Sequence, residues 1–510
     1  MVRKAFPPIF SALSQSILVY SKMKFIQFIL ILSILFIGCK SAKQITEDNS
    51  KSDYDINFVD YLFKDYSENR PSASVLVIKD GEIELAKSYG YADLDNKILA
   101  TPETNYRIAS VTKQFTAMAI MILIDQDKLS YETRITDVFP EFPKYGNDIT
   151  IKQLLTHRSG LVRYNRFIEE GRTEQLLDKD VLAGLLETDS TYFQPNTKYA
   201  YSNTGYAVLA EVVAKISGVS FADFMQKEIF QPLEMTNSTI LEIDKDIKNR
   251  AYGYVVKDTS ITAKDQSITS AIQGDGGVYT SAFDYYKWDK ALYSNELIQQ
   301  EKLDDAFYNY DANGKSNEDG YGYGWKIHYF KGSKILQHGG SSTGFGSHVI
   351  RIPSEGISVA IFTNRNKRGQ ELRNRAKALI SHFTNCKFQM PFEIVVEKEI
   401  NQKGIEKGIE LYNEIKTDTI NYAVSKGALF KFGIAFINAN KNNNALRLFE
   451  VLEQDYPTYF GGYYGTAVVY QQLKDTEKAV EHFNKTIKFC TKDEGWAADH
   501  AEKMIKELLE

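Results

Sequence analysis

Ser110 and Lys113 stand three residues apart in the segment Arg107-Ile-Ala-Ser-Val-Thr-Lys113, at the head of an apolar run from Gln114 to Leu123. Val111, Phe115, Met118 and Ile122 recur at helical spacing, and no Gly or Pro interrupts until well past Asp127. On a helix the two side chains share one face, with Cβ atoms about 5–6 Å apart. A serine hydroxyl becomes a useful nucleophile only when a base takes its proton. A lysine serves as that base only where its surroundings favour the neutral amine, as burial on an apolar helix does. The helix N-terminus offers free N–H groups and partial positive charge where an oxyanion would form. The pattern can therefore carry acyl transfer through a serine ester. Ser-x-x-Lys is a common spacing by itself, so it needs partners elsewhere in the chain.

Two segments supply them. Tyr201-Ser-Asn203 lies just before a helical run, Asn203 to Ile216, with Leu209, Val212, Val213 and Ile216 on one face. His338-Gly-Gly340 lies at the end of a predicted strand, Lys334 to Gln337. The elements that must position these residues are legible. Ser74 to Ile78 and Glu82 to Tyr89 flank Asp80-Gly81, a hairpin signal. Ile149 to Leu155 reads as a helix running into the turn Thr156-His-Arg-Ser-Gly160. Strands recur at Gly324 to Phe330, Ser347 to Ile352 and Ile357 to Thr363, followed by a helix from Leu372 to Phe383. Strands at both ends with helices between predict an α+β fold: one antiparallel sheet assembled from distant segments, flanked by helices, plus a helical lobe.

Taken together, Ser110-x-x-Lys113, Tyr201-x-Asn203 and His338-x-Gly340 resemble the three-part signature of the serine β-lactamases and penicillin-binding proteins, in the class C and esterase-like branch. Leu154 to Gly160, Gln231-Pro-Leu-Glu-Met235, Gly274-Asp-Gly-Gly277, Trp288 and His338 to Gly346 extend the resemblance over about residues 56–385. It implies Ser110 as nucleophile, Lys113 and Tyr201 sharing proton transfer, and Asn203 holding a substrate amide or Lys113. It also implies an oxyanion hole from the N–H groups of Ser110 and Ser341, with Gly339 and Gly340 admitting substrate to the strand edge. His338 departs from the lysine that many relatives carry there. A histidine is mostly neutral at pH 7 and charges below about pH 6. That favours an esterase, a D-amino-acid peptidase or another acyl hydrolase over a β-lactamase. A catalytically quiet sensor or binding module is a third class, disfavoured because every catalytic position is filled. No cofactor or metal is expected: His157 fits a structural turn, and His328, His348, His382, His482 and His500 form no cluster. Asp275 reads as a turn residue. Tyr321-Gly-Tyr-Gly-Trp325 reads as pocket lining or core.

Beyond Pro391 the pattern changes. Ala445-Leu-Arg-Leu-Phe449 returns as Ala479-Val-Glu-His-Phe483 at an offset of 34, with Phe436 matched to Tyr470 and Gly433 to Ala467. That is the tetratricopeptide period of paired helices. Residues 386–424 are expected to be a linker and helical connector, with Gly408 to Tyr412 a degenerate copy. Residues 425–510 are expected to hold the repeats and a capping helix from Trp496 to Leu509. Since about three repeats are needed for stability, the array should lean on the catalytic domain or on residues 403–424.

The chain's first segment concerns address. Met23-Lys24, the apolar stretch Phe25 to Ile37 and Gly38-Cys39 resemble a lipoprotein signal peptide, with translation starting at Met23 and lipid on Cys39. Residues 40–55 would be a flexible tether, and the protein an exported, membrane-anchored lipoprotein facing the periplasm or cell surface. Cys386 and Cys490 are the only other cysteines, which excludes a disulfide framework. The net charge of −5 gives no basis for nucleic-acid binding. Expected partners are a small-molecule or peptide substrate, a protein at the repeats, and membrane lipid through Cys39.

Overall fold

The computed structural model describes residues 58–66, 69–257, 260–310, 319–366 and 369–510. Cys39, the leader expected before it and the tether expected at 40–55 lie outside the described residues. The catalytic region is built on β1 (Ala73–Lys79) and β2 (Glu82–Tyr89), then α1 (Thr112–Asp125), α2 (Ile151–Leu155), α3 (Asn203–Ser217), α4 (Gln273–Gly276) and α5 (Ala282–Ala291). The chain then returns to the sheet through β3 (Gly320–Tyr321), β4 (Lys326–Phe330), β5 (Ser333–Ser342), β6 (Phe345–Ile352) and β7 (Ile357–Thr363), and α6 (Gly369–Phe383) closes it. The seven-stranded sheet has the order β3-β4-β5-β6-β7-β1-β2. Its ladder pairs are antiparallel, and Val75 stands opposite Ile361 where the two ends of the domain meet. Asp80 and Gly81 both take left-handed φ, +51° and +83°, as a two-residue hairpin turn requires.

Alternation sorts each strand between two faces. Leu76, Ile78, Leu336, Val349, Ala360 and Phe362 face the helical lobe and share its core with α1 and α5. The opposite face is covered by α6, whose Leu372, Ala376, Leu379 and Ile380 are buried. Helix α1 runs through the middle of the lobe. Thr112 to Leu123 are all buried, as a helix apolar nearly all round must be. Phe115 stacks on Trp288 with ring centroids 4.0 Å apart.

The C-terminal segment is mainly helical: α7 (Phe392–Lys403), α8 (Ile405–Ile415), α9 (Lys426–Asn438), α10 (Asn442–Asp455), α11 (Phe460–Gln472), α12 (Thr476–Phe489) and α13 (Gly495–Leu509), with Met390–Pro391 and Tyr422–Ala423 forming a short parallel pair. The matched residues Ala445 and Ala479, and Phe449 and Phe483, are fully buried. Gly433 and Gly465 lie flat on the Phe449 ring, where any Cβ would overlap it. Phe392, Val396, Ile400, Ile409 and Tyr412 share a core with Phe432, Phe436 and Phe449, so α7 and α8 act as the helix pair the two repeats lacked. The segment also rests on the catalytic domain. Phe388 stacks on Phe330 at 4.5 Å, and Lys64 Nζ meets Glu397 at 2.8 Å.

Candidate active site

Ala109 adopts φ +48°, a left-handed backbone that costs free energy in a non-glycine residue. That bend turns the chain from a short strand (Tyr106–Arg107) into a 3₁₀ turn (Ala109–Val111) and then α1. Ser110 sits in the turn, partly exposed, with its N–H in the first turn where no intrahelical carbonyl can take it. Lys113 is fully buried. Its Nζ lies 3.4 Å from Ser110 Oγ and donates to the Asp275 carbonyl at 2.9 Å.

The Asp275 carbonyl is held by a clamp. Thr116 Oγ1 donates to the Gly274 carbonyl at 2.7 Å. The Val278 N–H donates to Thr112 Oγ1 at 3.0 Å. The Asp178 carboxylate takes the N–H groups of Gln273 (2.7 Å) and Gly274 (3.1 Å). Gly274 packs so closely on α3 that a Cβ would overlap the Tyr206 carbonyl oxygen. Gly274 thus lets α4 sit against α3. Asp275, read from sequence as a turn residue, also faces the site. Its buried carboxylate accepts from Tyr164 OH at 3.0 Å. Burial pushes the carboxyl upward against the opposing pull of Lys113.

The turn carrying Tyr201 is pinned by His157, which takes φ +59°. His157 Nδ1 accepts from the Ser202 N–H at 3.1 Å, and its carbonyl accepts from the Ala200 N–H at 2.9 Å. The ring lies 4.3 Å from that of Tyr201 and 4.5 Å from that of Tyr321, centroid to centroid. Ser202 caps α3 by accepting from Gly205 N–H at 3.2 Å. The Tyr201 ring centre is 5.1 Å from Lys113 Nζ. Asn203 opens α3. Its Nδ2 reaches Tyr164 OH at 3.5 Å, and its buried Oδ1 has no partner. Of the two tasks expected of Asn203, contact with Lys113 is not made.

The third segment is not at a strand end, as the sequence suggested, but inside β5. Gly339 and Gly340 keep pairing with His348 and Ser347 on β6, whereas β4 pairs only with Ser333 to Gln337. From His338 onward one edge of β5 is therefore free of β4. Gly340 touches the nucleophile turn: a Cβ there would overlap the Ile108 carbonyl oxygen and Ser347 Oγ, and would stand 3.2 Å from Ala109 Cβ. This contact holds β5, with Ser341 exposed on its free edge, against the turn that carries Ser110. His338 is buried, with Nε2 3.0 Å from Tyr321 OH and Nδ1 2.9 Å from the Gly339 carbonyl. Burial, then the charges of Lys113 and Lys326, hold its pKa well below the ordinary histidine value. The expected charging near pH 6 is corrected accordingly: His338 stays neutral through that range because a cation there would be desolvated beside two others.

The structure thus gathers Ser110, Lys113, Tyr201, Asn203, His338, Gly339, Gly340 and Ser341 around one cleft. It adds His157 and Asp275, which the sequence read as turn residues, Tyr321, read as pocket lining or core, and Tyr164, to which no role was given. The only signal for them was their place inside motifs whose purpose was not evident.

Residues 59–382 match the β-lactamase family model, and residues 427–459 and 462–489 match the tetratricopeptide repeat model. Penicillin-binding protein 4* of Bacillus subtilis (strain 168) is 29% identical over 350 residues, 65% of this chain and 76% of that protein. Protein flp of Staphylococcus aureus (strain COL) is 26% identical over 301 residues, 58% of this chain and 60% of its own length. Among solved structures, the octameric penicillin-binding protein homologue from Pyrococcus abyssi superposes with a TM-score of 0.57 at 28% identity, over 69% of this chain and 82% of that one. D-amino acid amidase from Ochrobactrum anthropi SV3, complexed with D-phenylalanine, gives 0.56 at 21% identity over 65% and 99%, a likeness of fold alone.

Proposed function

The chain belongs to the β-lactamase family and is a serine hydrolase, and we propose that it cleaves an ester or amide through an acyl-Ser110 intermediate. The observation that carries this reading is the side-chain nitrogen of buried Lys113, 3.4 Å from Ser110 Oγ. Ser110 Oγ attacks the substrate carbonyl. Lys113 and Tyr201 take its proton and return it to the leaving group. The N–H groups of Ser110 and Ser341 face the developing oxyanion, where one donor contributes about 3–4 kcal/mol. Asn203 Oδ1, buried without a partner, accepts the substrate's amide N–H. Water then attacks the acyl group along the reverse proton path.

Neutral His338 supplies no cation at the position where many relatives hold a substrate carboxylate, which favours an esterase or D-amino-acid peptidase over a β-lactamase. Tyr199 and Tyr201, both partly exposed, line the approach with apolar surface. The test is a substrate panel: a nitrophenyl ester, a D-amino-acid amide, a D-Ala-D-Ala peptide and a penicillin, each with wild type and Ser110→Ala. Turnover of the ester or D-amino-acid substrates, lost in Ser110→Ala, supports the reading. Penicillin hydrolysis above about 10⁴ M⁻¹s⁻¹, the low end for efficient enzymes, would establish the β-lactamase alternative instead.

The resemblance of Gly38-Cys39 and the preceding apolar stretch to a lipoprotein signal supports export and a lipid anchor on Cys39. Detergent-phase partitioning that survives Cys39→Ser would refute it. The repeat segment is proposed to dock a protein partner.

A further inference from the structure

The side chain at position 338 carries no charge, yet the cleft has a cation beside it. Lys326 begins β4 and stands opposite Gln337, one residue before His338. Its Nζ reaches round the strand end to within 5.9 Å of the Tyr201 ring centre. Among the described residues no carboxylate lies within ion-pair reach of Lys326 or of its neighbour Arg373 on α6. Asp319, just before the neighbouring β3, is bound to His328 at 2.8 Å. Among the described residues, the charges that act on the Lys326 side chain, those of Arg373 and Lys113, are positive, and burial followed by these two pushes its pKa down. Other polar groups around it are also unanswered. The Arg373 Nε, both ring nitrogens of His348 and Gln337 Oε1 are buried with no partner. His348 lies directly beneath the backbone of Gly339, and a Cβ on Gly339 would stand 3.3 Å from His348 Nδ1. Half-buried cations without a counter-charge are costly unless something anionic visits them.

We propose that Lys326, backed by Arg373, is the specificity residue that receives a carboxylate of the substrate. The inference rests on the acyl-Ser110 reading. Lys326 belongs to the strand next to β5, and neighbouring strands lie about 4.8 Å apart. Its ammonium therefore meets a carboxylate roughly one strand spacing farther along the cleft than a cation at position 338 would. That selects an elongated substrate with a terminal acid group, not a compact bicycle such as a penicillin, whose carboxylate is close to the scissile bond.

The test uses mono-4-nitrophenyl adipate and its methyl ester, which differ only in the distal carboxylate. The quantity read is the ratio of their kcat/KM values, acid over methyl ester. Wild type should give a ratio well above 1, which falls as ionic strength rises from about 0.05 to about 0.5 M, because partly exposed ion pairs are screened. Lys326→Gln should lower the ratio about 30-fold, on the scale of a lost charge-assisted bond. Lys326→Arg should retain most of it, and Lys326→Glu should drive it below that of Lys326→Gln. A wild-type ratio at or below 1, or one that does not respond to Lys326→Gln and salt, overturns the proposal alone, provided that ester turnover is lost in Ser110→Ala. Absence of turnover of either ester in wild type overturns both the proposal and the acyl-Ser110 reading.

Discussion

Gly340→Ala tests how the nucleophile and the strand are held together. The added Cβ would overlap two atoms at once, the Ile108 carbonyl oxygen and Ser347 Oγ, and press on Ala109 Cβ at 3.2 Å. Neither oxygen can step aside freely. Ser347 Oγ donates to the Ile108 carbonyl at 2.6 Å, and Ile108 leads directly into the strained Ala109 that presents Ser110. Restoring ordinary contact, near 3.5 Å between heavy atoms, means parting β5 from the nucleophile turn by on the order of 1 Å. A shift of that size costs about 100-fold in rate when it separates aligned groups, equivalent to about 2.7 kcal/mol of barrier. Losing the Ser341 N–H as an oxyanion donor gives a similar figure. The fold should survive, since overpacking one site costs about 1–3 kcal/mol. The assay is kcat/KM on 4-nitrophenyl acetate together with the melting temperature. Gly339→Ala is the control, because its Cβ would stand 3.3 Å from His348 Nδ1 and an ordinary 3.7 Å from the Ser347 carbonyl oxygen, with no overlap. It should stay within about tenfold of wild type, one decade being about 1.4 kcal/mol. A folded Gly340→Ala enzyme with activity within threefold of wild type would refute the account of how β5 and Ser110 are coupled.

Two further predictions concern stability. His348 is buried, and its pKa is lowered to about 3, first by burial and then by Arg373 and Lys326. Between about pH 6.5 and 3 the unfolded chain takes up a proton at this residue that the folded chain does not, so His348 costs stability as pH falls through that window. Relative to His348→Gln, wild type should lose about 1 kcal/mol between pH 7 and 5.5, read from paired denaturant curves. A constant difference would show that His348 is solvated or paired. Phe449→Ala removes the ring that fills the space against Gly433 and Gly465. It should cost about 3–5 kcal/mol and make α9 to α12 the first region cut in limited proteolysis. Unchanged protection there would mean that the repeats do not depend on that core.

The sequence made the catalytic groups legible through residue type and order, and the sheet through its alternating segments. The strand around His338-Gly-Gly340 was read as ending too early, because two glycines look like a strand end. In the structure they serve close approach: Gly340 touches the nucleophile turn and Gly339 lies over His348. Asp275 and Tyr164 were not legible. Their roles come from a contact between residues 111 positions apart, at the meeting of a short helix and a single 3₁₀ turn (Tyr164–Phe167), both too short for periodicity to mark. Lys326 was hidden for a related reason. Only the register of β4 on β5 brings its side chain beside the cleft. The repeat period was plain at 34 residues, and Gly408 to Tyr412 was legible as a degenerate copy, whereas its partner helix Phe392–Lys403 carries too little of the repeat pattern to be identified from spacing alone.

The central claim is that Lys113 activates Ser110 for acylation. The most direct test is intact-mass and peptide-mapping analysis after brief exposure to a fluorophosphonate, with wild type, Ser110→Ala and Lys113→Ala. The account predicts one adduct in wild type, mapped to Ser110, none in Ser110→Ala, and labelling slowed by at least about 100-fold in Lys113→Ala, in which the general base is lost. An adduct on another residue, or labelling of folded Lys113→Ala at the wild-type rate, would contradict it.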